Sequence, residues 1–291
     1  QELKDGLEAA VSGSGKLPDL APVPLEPRYV LAGAVQPLDG YLRREEREDH
    51  YPGALEGFTF GGKLYGIPYG IEFPFLAVNL ELFRESGVTP PPDGRWTYRE
   101  FADSVRRLTL DRNGDGRPES YGLGFYIVEG FHEFWPFLYS DGGRPLEGDP
   151  PRYAMDGPAG VSGLKRLLDL SSSSAVWPGS GRVPPQAVWS AFAGSRREIA
   201  ILPVGTWAIP LLGSDEWRTD FAVAEFPSGE GGTSVTVGRV IGYTVFRQSD
   251  PRRAEMAVRL AKHLASREEQ RNLARRKGIM PVRKSVGNPF P

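Results

Sequence analysis

Residues 61–79, GGKLYGIPYGIEFPFLAVN, open on a Gly-Gly turn and then run for the length of two strands with hardly a charge. After Lys63 the only charged residue is Glu72, set between Ile71 and Phe73. A carboxylate is costly to bury unless a polar group bonds to it, so this stretch constrains the fold more than any other. Glu72 either ends a strand that is open at a cleft or waits for a polar partner from elsewhere in the chain.

At 291 residues the chain can form one large domain or two lobes of roughly 100–150 residues each. Its 35 Lys and Arg against 37 Asp and Glu leave a net charge of −2, which gives no footprint for nucleic acid or for an anionic membrane. The absence of cysteine excludes a disulfide framework, thiol catalysis and a cysteine metal site together. No apolar run approaches the ~20 residues of a membrane helix. Nor does a charged-then-apolar leader open at Gln1, so a secretion signal is expected to have been removed or to lie outside this sequence. The 36 Gly and 27 Pro point to many turns and away from a helical bundle.

Periodicity organises the rest. Leu3, Leu7, Ala10 and Val11 have helical spacing, and residues 29–35 read as a short helix closing at Gly33. The charged run 43–49 reads as a solvated face. Thr97 with Glu100 three residues on is a capping box, followed by the stripe Phe101, Val105 and Leu108. Residues 121–128 read as a buried strand, and 161–170 as a helix with Val161, Leu164, Leu167 and Leu168 inward. A helix over 186–193 precedes a strand over 198–204, and strands are expected over 221–226 and 234–246. Helices follow over 251–265, with Pro at its first turn, and from Ser266 to Gly278. Strands alternating with helices predict an α/β fold, and the length favours two lobes.

Asp111, Asn113 and Asp115 match the first half of a calcium loop, with oxygen ligands at positions 1, 3 and 5. Position 12 is Gly122 where a bidentate Glu belongs, and a strand follows instead of a helix; a tight structural turn of Asp, Asn and Gly is the expected reading. No other cofactor is expected. His50, His132 and His263 lack metal-ligand spacing, and His132, in the aromatic segment 131–139, is the one placed in a cleft. No Gly-x-Ser-x-Gly elbow supports a hydrolytic triad. A carbohydrate-active enzyme using Glu72 needs a second, opposed carboxylate that the sequence does not identify. Trp135, Trp207 and Tyr243 stand next to Pro136, Gly205–Thr206 and Gly242. Such junctions suit aromatic faces that stack on a sugar ring, the alternative for each being a place in the core.

The order of motifs resembles a known family. GGKLYGIPYGIEFPFLAVNLELFRESGVTPP, WTYREFADSVRRLTLDRNGDGRPESYGLGF, FWPFLYSDGG, VWSAFAGSRREIAILPVGTWAIP and SDPRRAEMAVRLAKHLASREEQRNLARRKGIMPVRKS are together similar to the extracellular solute-binding proteins of sugar-type ABC importers, the group containing maltose-binding protein. The resemblance implies a two-lobed α/β clamshell with residues 1–72 and 239–291 in one lobe, 73–238 in the other, and hinge crossings near 70–75 and 236–240. It implies a sugar or polyol ligand held between lobes and delivered to the membrane subunits of an ABC permease. The protein would be a monomer in the periplasm or outside the cell, tied to the membrane through a partner or a lipid anchor.

By the same resemblance Glu72 occupies the position of a carboxylate that bonds sugar hydroxyls, and Trp207 that of the stacking tryptophan of the GTW motif. His132 and Trp135 fall in a segment that contributes cleft residues, and Tyr69 and Tyr243 are further ligand candidates. Where many members have Gly-Gly, this chain has Gly238–Arg239, so Arg239 is expected either to pair with Glu72 or to read an anionic group on the ligand. The family's opening strand–helix–strand and its closing helical region have no counterpart here, so a fragment or a divergent member is expected. A ligand-sensing domain of a larger permease or receptor fusion is the alternative reading.

Overall fold

The computed structural model describes residues 2–128, 132–148, 151–229 and 231–289. Contacts divide the chain into two compact units, Gln1–Glu72 with Arg239–Pro291, and Phe73–Gly238. The stretch 61–79 is therefore shared: the strand Gly66–Glu72 belongs to the first unit and the strand Pro74–Asn79 to the second.

In the first unit, Gly66–Glu72 pairs antiparallel with Arg239–Val245, which pairs on its other side with Leu20–Ala21. The register places Glu72 opposite Arg239, and a bulge between Ile241 and Gly242 leaves Tyr69 as the extra residue on its strand. Two glycines explain how this ribbon packs. A Cβ on Gly66 would stand 2.3 Å from the Phe58 ring and one on Gly242 would stand 2.6 Å from it. Phe58 thus lies fully buried directly on the backbone, amid Leu38, Leu64, Ile67, Val258 and Ala261.

The run 43–49 is more than a solvated face. Helix Arg44–Glu48 buries none of its residues, yet Glu46 reaches Lys262 at 2.5 Å and Asp49 reaches Arg283 at 2.7 Å. Those two carboxylates dock the C-terminal part of the unit onto this segment. The inside of that junction is polar. Gln270, fully buried, accepts the N–H groups of Val282 and Arg283 at 3.0 and 3.1 Å and donates to the Ala265 carbonyl.

The second unit is built on a sheet of order Phe221–Ala224, Pro74–Asn79, Ile199–Gly205, Tyr121–Leu123; only the last pair is parallel. Alternation feeds two cores: Leu76 and Val78 join one with Phe83, Phe101 and Phe226, while Phe75 and Ala77 join the other with Val188, Phe192 and Val204. Both central strands are buried along their whole length, the pattern of a sheet covered on both faces. Asn79 ends its strand by accepting the N–H groups of Glu81 and Leu82 and so starts helix Leu80–Glu85. Thr97 and Glu100 form the capping box of helix Tyr98–Arg107.

Four expectations are corrected. The strand expected over 121–128 stops at Leu123, whose carbonyl then accepts the N–H of Trp177 as the chain changes partners. The strand expected over 234–246 begins only at Arg239, because Thr236 is tied by its hydroxyl to the Pro74 carbonyl at 2.8 Å. Tyr243 accordingly lies within a strand and not at a junction. Helix Pro158–Ser171 turns most of its expected inward face outward: Val161, Leu164 and Leu168 are exposed, Leu167 alone of the four packs against the core, and Gly160, Gly163 and Leu170 are buried.

Candidate functional site

Glu72 is the last residue of its strand and Arg239 the first of the facing one. The register alone brings their side chains to the same place. The guanidinium of Arg239 bonds Oε2 of Glu72; the carboxylate side chain is 15% exposed and the arginine 56%. The isolated charge in the apolar run thus has its partner 167 residues away, and of the two roles open to Arg239 the structure shows the ion pair. Tyr69 and Tyr243 lie close by in the chain, ring centroids 4.8 Å apart at 38°. Both are half-buried against the core that holds Phe58. Burial pushes the Tyr69 phenol up, with Tyr243 and Glu72 adding to the effect, and burial likewise raises Tyr243. Both therefore stay neutral donors at physiological pH.

In the second unit Trp207 follows the strand Ile199–Gly205 and begins the short helix Ala208–Leu212. A Cβ on Gly205 would stand 2.4 Å from Nε1 of Trp207, so the glycine of the GTW motif is what lets the indole fold back over the strand end. Trp189 supports it from the side at 5.4 Å, and Trp217 packs on Trp189 at 6.5 Å. Thr206, between Gly205 and Trp207, donates its N–H at 3.1 Å to the carbonyl of Phe73, the residue that follows Glu72 in the chain. The tryptophan's strand end and the start of the strand Pro74–Asn79 are thereby fixed to each other through the backbone.

His132 and Trp135 meet with their rings tilted at 49° and centroids 4.6 Å apart, and Tyr139 meets Trp135 edge-on at 6.0 Å. Phe131, at the start of the aromatic segment, lies outside the described residues. His50 is buried and His263 sits in helix Pro251–Leu264, so neither joins these groups. Glu133 was not singled out in the sequence. It is buried beside Tyr126, whose phenol is pushed well up by burial and then by the Glu133 carboxylate. Its signal was the one that marked Glu72, a lone charge in an aromatic run. Trp189 had a signal too, being in step with Val188 and Phe192 on a buried helix face.

The Asp111 loop is a turn that satisfies itself. The Asp111 carboxylate accepts the N–H groups of Gly114, Asp115 and Gly116 at 2.8, 3.2 and 2.8 Å. Asn113 accepts from Asp115, and Asp115 from Arg117. These oxygens are used to close the turn, and among the described residues no group of three His, Cys, Asp or Glu is placed to hold a metal ion. No helix among them is long and apolar enough to cross a membrane.

Comparison with known proteins gives this geometry its context. The family model described as bacterial extracellular solute-binding protein matches residues 2–289. A sequence of Brucella abortus (strain 2308) that carries only the general name of a binding protein is 21% identical over 256 residues, 88% of this chain and 60% of its own length. A "Probable ABC transporter-binding protein" of Deinococcus radiodurans is 22% identical over 238 residues, 79% of this chain and 54% of its own. The chain thus spans just over half the length of these curated relatives. Among solved structures, maltose-bound MalE3 of T. maritima superposes with a TM-score of 0.81 at 22% identity, over 99% of this chain and 72% of that one. A solute-binding protein of Thermotoga lettingae bound with α-D-tagatose gives 0.79 at 24% identity, over 98% and 71%. The fold is that of the two-lobed α/β solute-binding proteins.

Proposed function

Because the chain belongs to the bacterial extracellular solute-binding proteins, we propose that it captures a sugar or a polyol and hands it to the membrane subunits of an ABC-type permease. The reading is supported by relatives that are binding proteins, and by solved structures whose ligands are maltose and tagatose. It rests above all on one observation within the first unit: the Arg239 guanidinium bonds Oε2 of Glu72 where their two strands meet, so that the lone carboxylate of the apolar run is held in place at a strand end.

In this reading Arg239 fixes the Glu72 carboxylate through Oε2 and leaves Oε1 to accept from ligand hydroxyls. Bonds to a charged acceptor are stronger than neutral ones. Trp207 offers the stacking face, with Trp135, His132, Tyr69 and Tyr243 as further contacts. The charged partner of Glu72 is a guanidinium and not a second carboxylate, which suits binding and not the acid–base pair of glycoside hydrolysis. The protein acts as a monomer in the periplasm or outside the cell, without covalent chemistry and without a cofactor.

A panel of mono- and disaccharides and polyols, titrated while tryptophan emission is followed, tests the proposal. At least one member should give a saturable change that Trp207→Ala reduces. A panel in which no member responds at millimolar concentration overturns it.

A further inference from the structure

The strand Ile199–Gly205 has two ends. Trp207 lies beyond one; beyond the other, ~25 Å away at the rise of a strand, Glu198 borders a separate cavity of about 560 Å³. Its lining includes Glu119, Tyr121, Trp177, Gly179, Arg196 and Glu198. The volume is in the range of small-ligand sites.

The walls are rigid. Tyr121 starts the neighbouring parallel strand, and its N–H bonds the Glu198 carbonyl at 2.8 Å. Trp177 donates its backbone N–H to Leu123 and its indole N–H to Oε2 of Glu198 at 2.9 Å. A Cβ on Gly179 would fall 2.0 Å from the Trp177 ring, so only glycine lets the backbone lie against that indole. Glu119 is held by the Arg112 N–H on Oε2 at 2.7 Å.

The charge of the cavity is negative. Two carboxylates border it. The Arg112 guanidinium is committed to Glu85 through two bonds of 2.5 and 2.9 Å. The cation in the lining, Arg196, stands 3.7 Å from Glu198, beyond hydrogen-bond length, with 84% of its side chain exposed. The Tyr121 phenol is raised by burial and then by both Glu198 and Glu119, so it stays uncharged and adds no positive charge to the lining. Two aromatic side chains and two carboxylates in one lining, with a loosely held guanidinium among them, are complementary to a cation of low charge density.

We infer that this cavity is a second binding site, for an organic ammonium group, with Trp177 and Tyr121 as the aromatic walls and Glu119 and Glu198 as the counter-charges. Arg196 is the resident cation that such a ligand displaces. The site is separate from the carbohydrate reading and stands or falls without it.

Tetramethylammonium chloride is the probe, with tert-butanol as a neutral molecule of similar shape and sodium chloride at matched ionic strength as controls. Calorimetry on the full chain should show saturable binding of tetramethylammonium, with a Kd on the order of millimolar, and none of the controls should bind. Glu119→Gln and Glu198→Gln should each weaken it by roughly tenfold. Arg196→Ala should tighten it, the opposite of what a site for an anion or a neutral sugar would do. Trp177→Phe should keep the heat of binding while removing the accompanying emission change, and near-ultraviolet circular dichroism confirms that each variant is folded. Absence of saturable binding, equal binding of tert-butanol, or weaker binding to Arg196→Ala overturns the inference.

Discussion

At the scale of single residues, two buried or half-buried groups carry opposite lessons. Glu72 has its charge met by Arg239 and remains available as an acceptor. Glu72→Gln removes the charge, leaves Arg239 without its partner, and should weaken carbohydrate binding by about 1.5–3 kcal/mol, the range for hydrogen bonds to charged groups; an unchanged affinity removes Glu72 from the site. His50 is the reverse case. Its Nδ1 bonds the Glu46 carbonyl at 2.7 Å, and its Nε2 is buried without a partner among the described residues. Burial, aided by Arg283 and opposed by the Glu46 carbonyl and the Asp49 and Glu46 charges, holds its pKa below the ordinary value.

The sign of the pH effect follows from that depression. The unfolded chain takes up the proton near pH 6.5 while the folded one resists it. The stability is therefore complete above about pH 6.5 and falls as pH drops towards the folded pKa, by at most about 1.4 kcal/mol per pH unit. Glu46 and Asp49, despite burial, are held below the usual carboxylate range by Lys262 and the Arg43 N–H, and by Arg283 and Ser285. They stay ionised through this window and contribute only nearer pH 4. Urea denaturation at pH 7 and pH 5.5 should show a loss in the parent that His50→Gln lacks. Equal losses in both would remove His50 as the cause.

At the scale of elements, helix Pro158–Ser171 shows why an apolar stripe does not by itself identify the buried face. Val161, Leu164 and Leu168 have the spacing of an inward stripe, yet the helix packs through glycine. A Cβ on Gly163 would stand 2.2 Å from the Leu138 carbonyl, and one on Gly160 would stand 2.3 Å from that of Met155. Backbones that close leave Val161, Leu164 and Leu168 outside while Leu167 and Leu170 pack inward, and Arg166, turned inward, pairs with Asp141 at 3.0 Å and lies over the Tyr98 ring at 4.9 Å. Gly163→Ala gains up to about 1 kcal/mol of helix propensity but must push two helices apart. A net destabilisation of about 1–3 kcal/mol is expected, against about 0.5 kcal/mol or less for Leu164→Gln, both read from thermal or urea unfolding. The reverse order would mean that the leucine face is the packed one. Elements whose signal is local were legible in the sequence, as the capping box at Thr97 and Glu100 was. Those that depend on a distant backbone, such as the early end of the strand at Leu123, were not.

At the scale of the whole molecule, the family and the α/β fold class were legible because the motifs keep the family's order over nearly the full length. The pairing of Glu72 with Arg239 was open in the sequence because a register 167 residues apart leaves no local trace; what could be read was only that the charge needed a partner. The cavity at Glu198 left less still, since Glu119, Trp177 and Arg196 belong to three separate segments with ordinary solvent-facing patterns.

The central claim is that this chain binds a carbohydrate through a carboxylate and a stacking tryptophan. Isothermal titration of the full chain with the best sugar or polyol of the panel, beside Glu72→Gln and Trp207→Ala, tests it most directly. One saturable site is expected in the parent, with a clear loss of affinity in both variants and their folding intact. Binding that neither substitution alters, or no binding of any sugar or polyol, contradicts it.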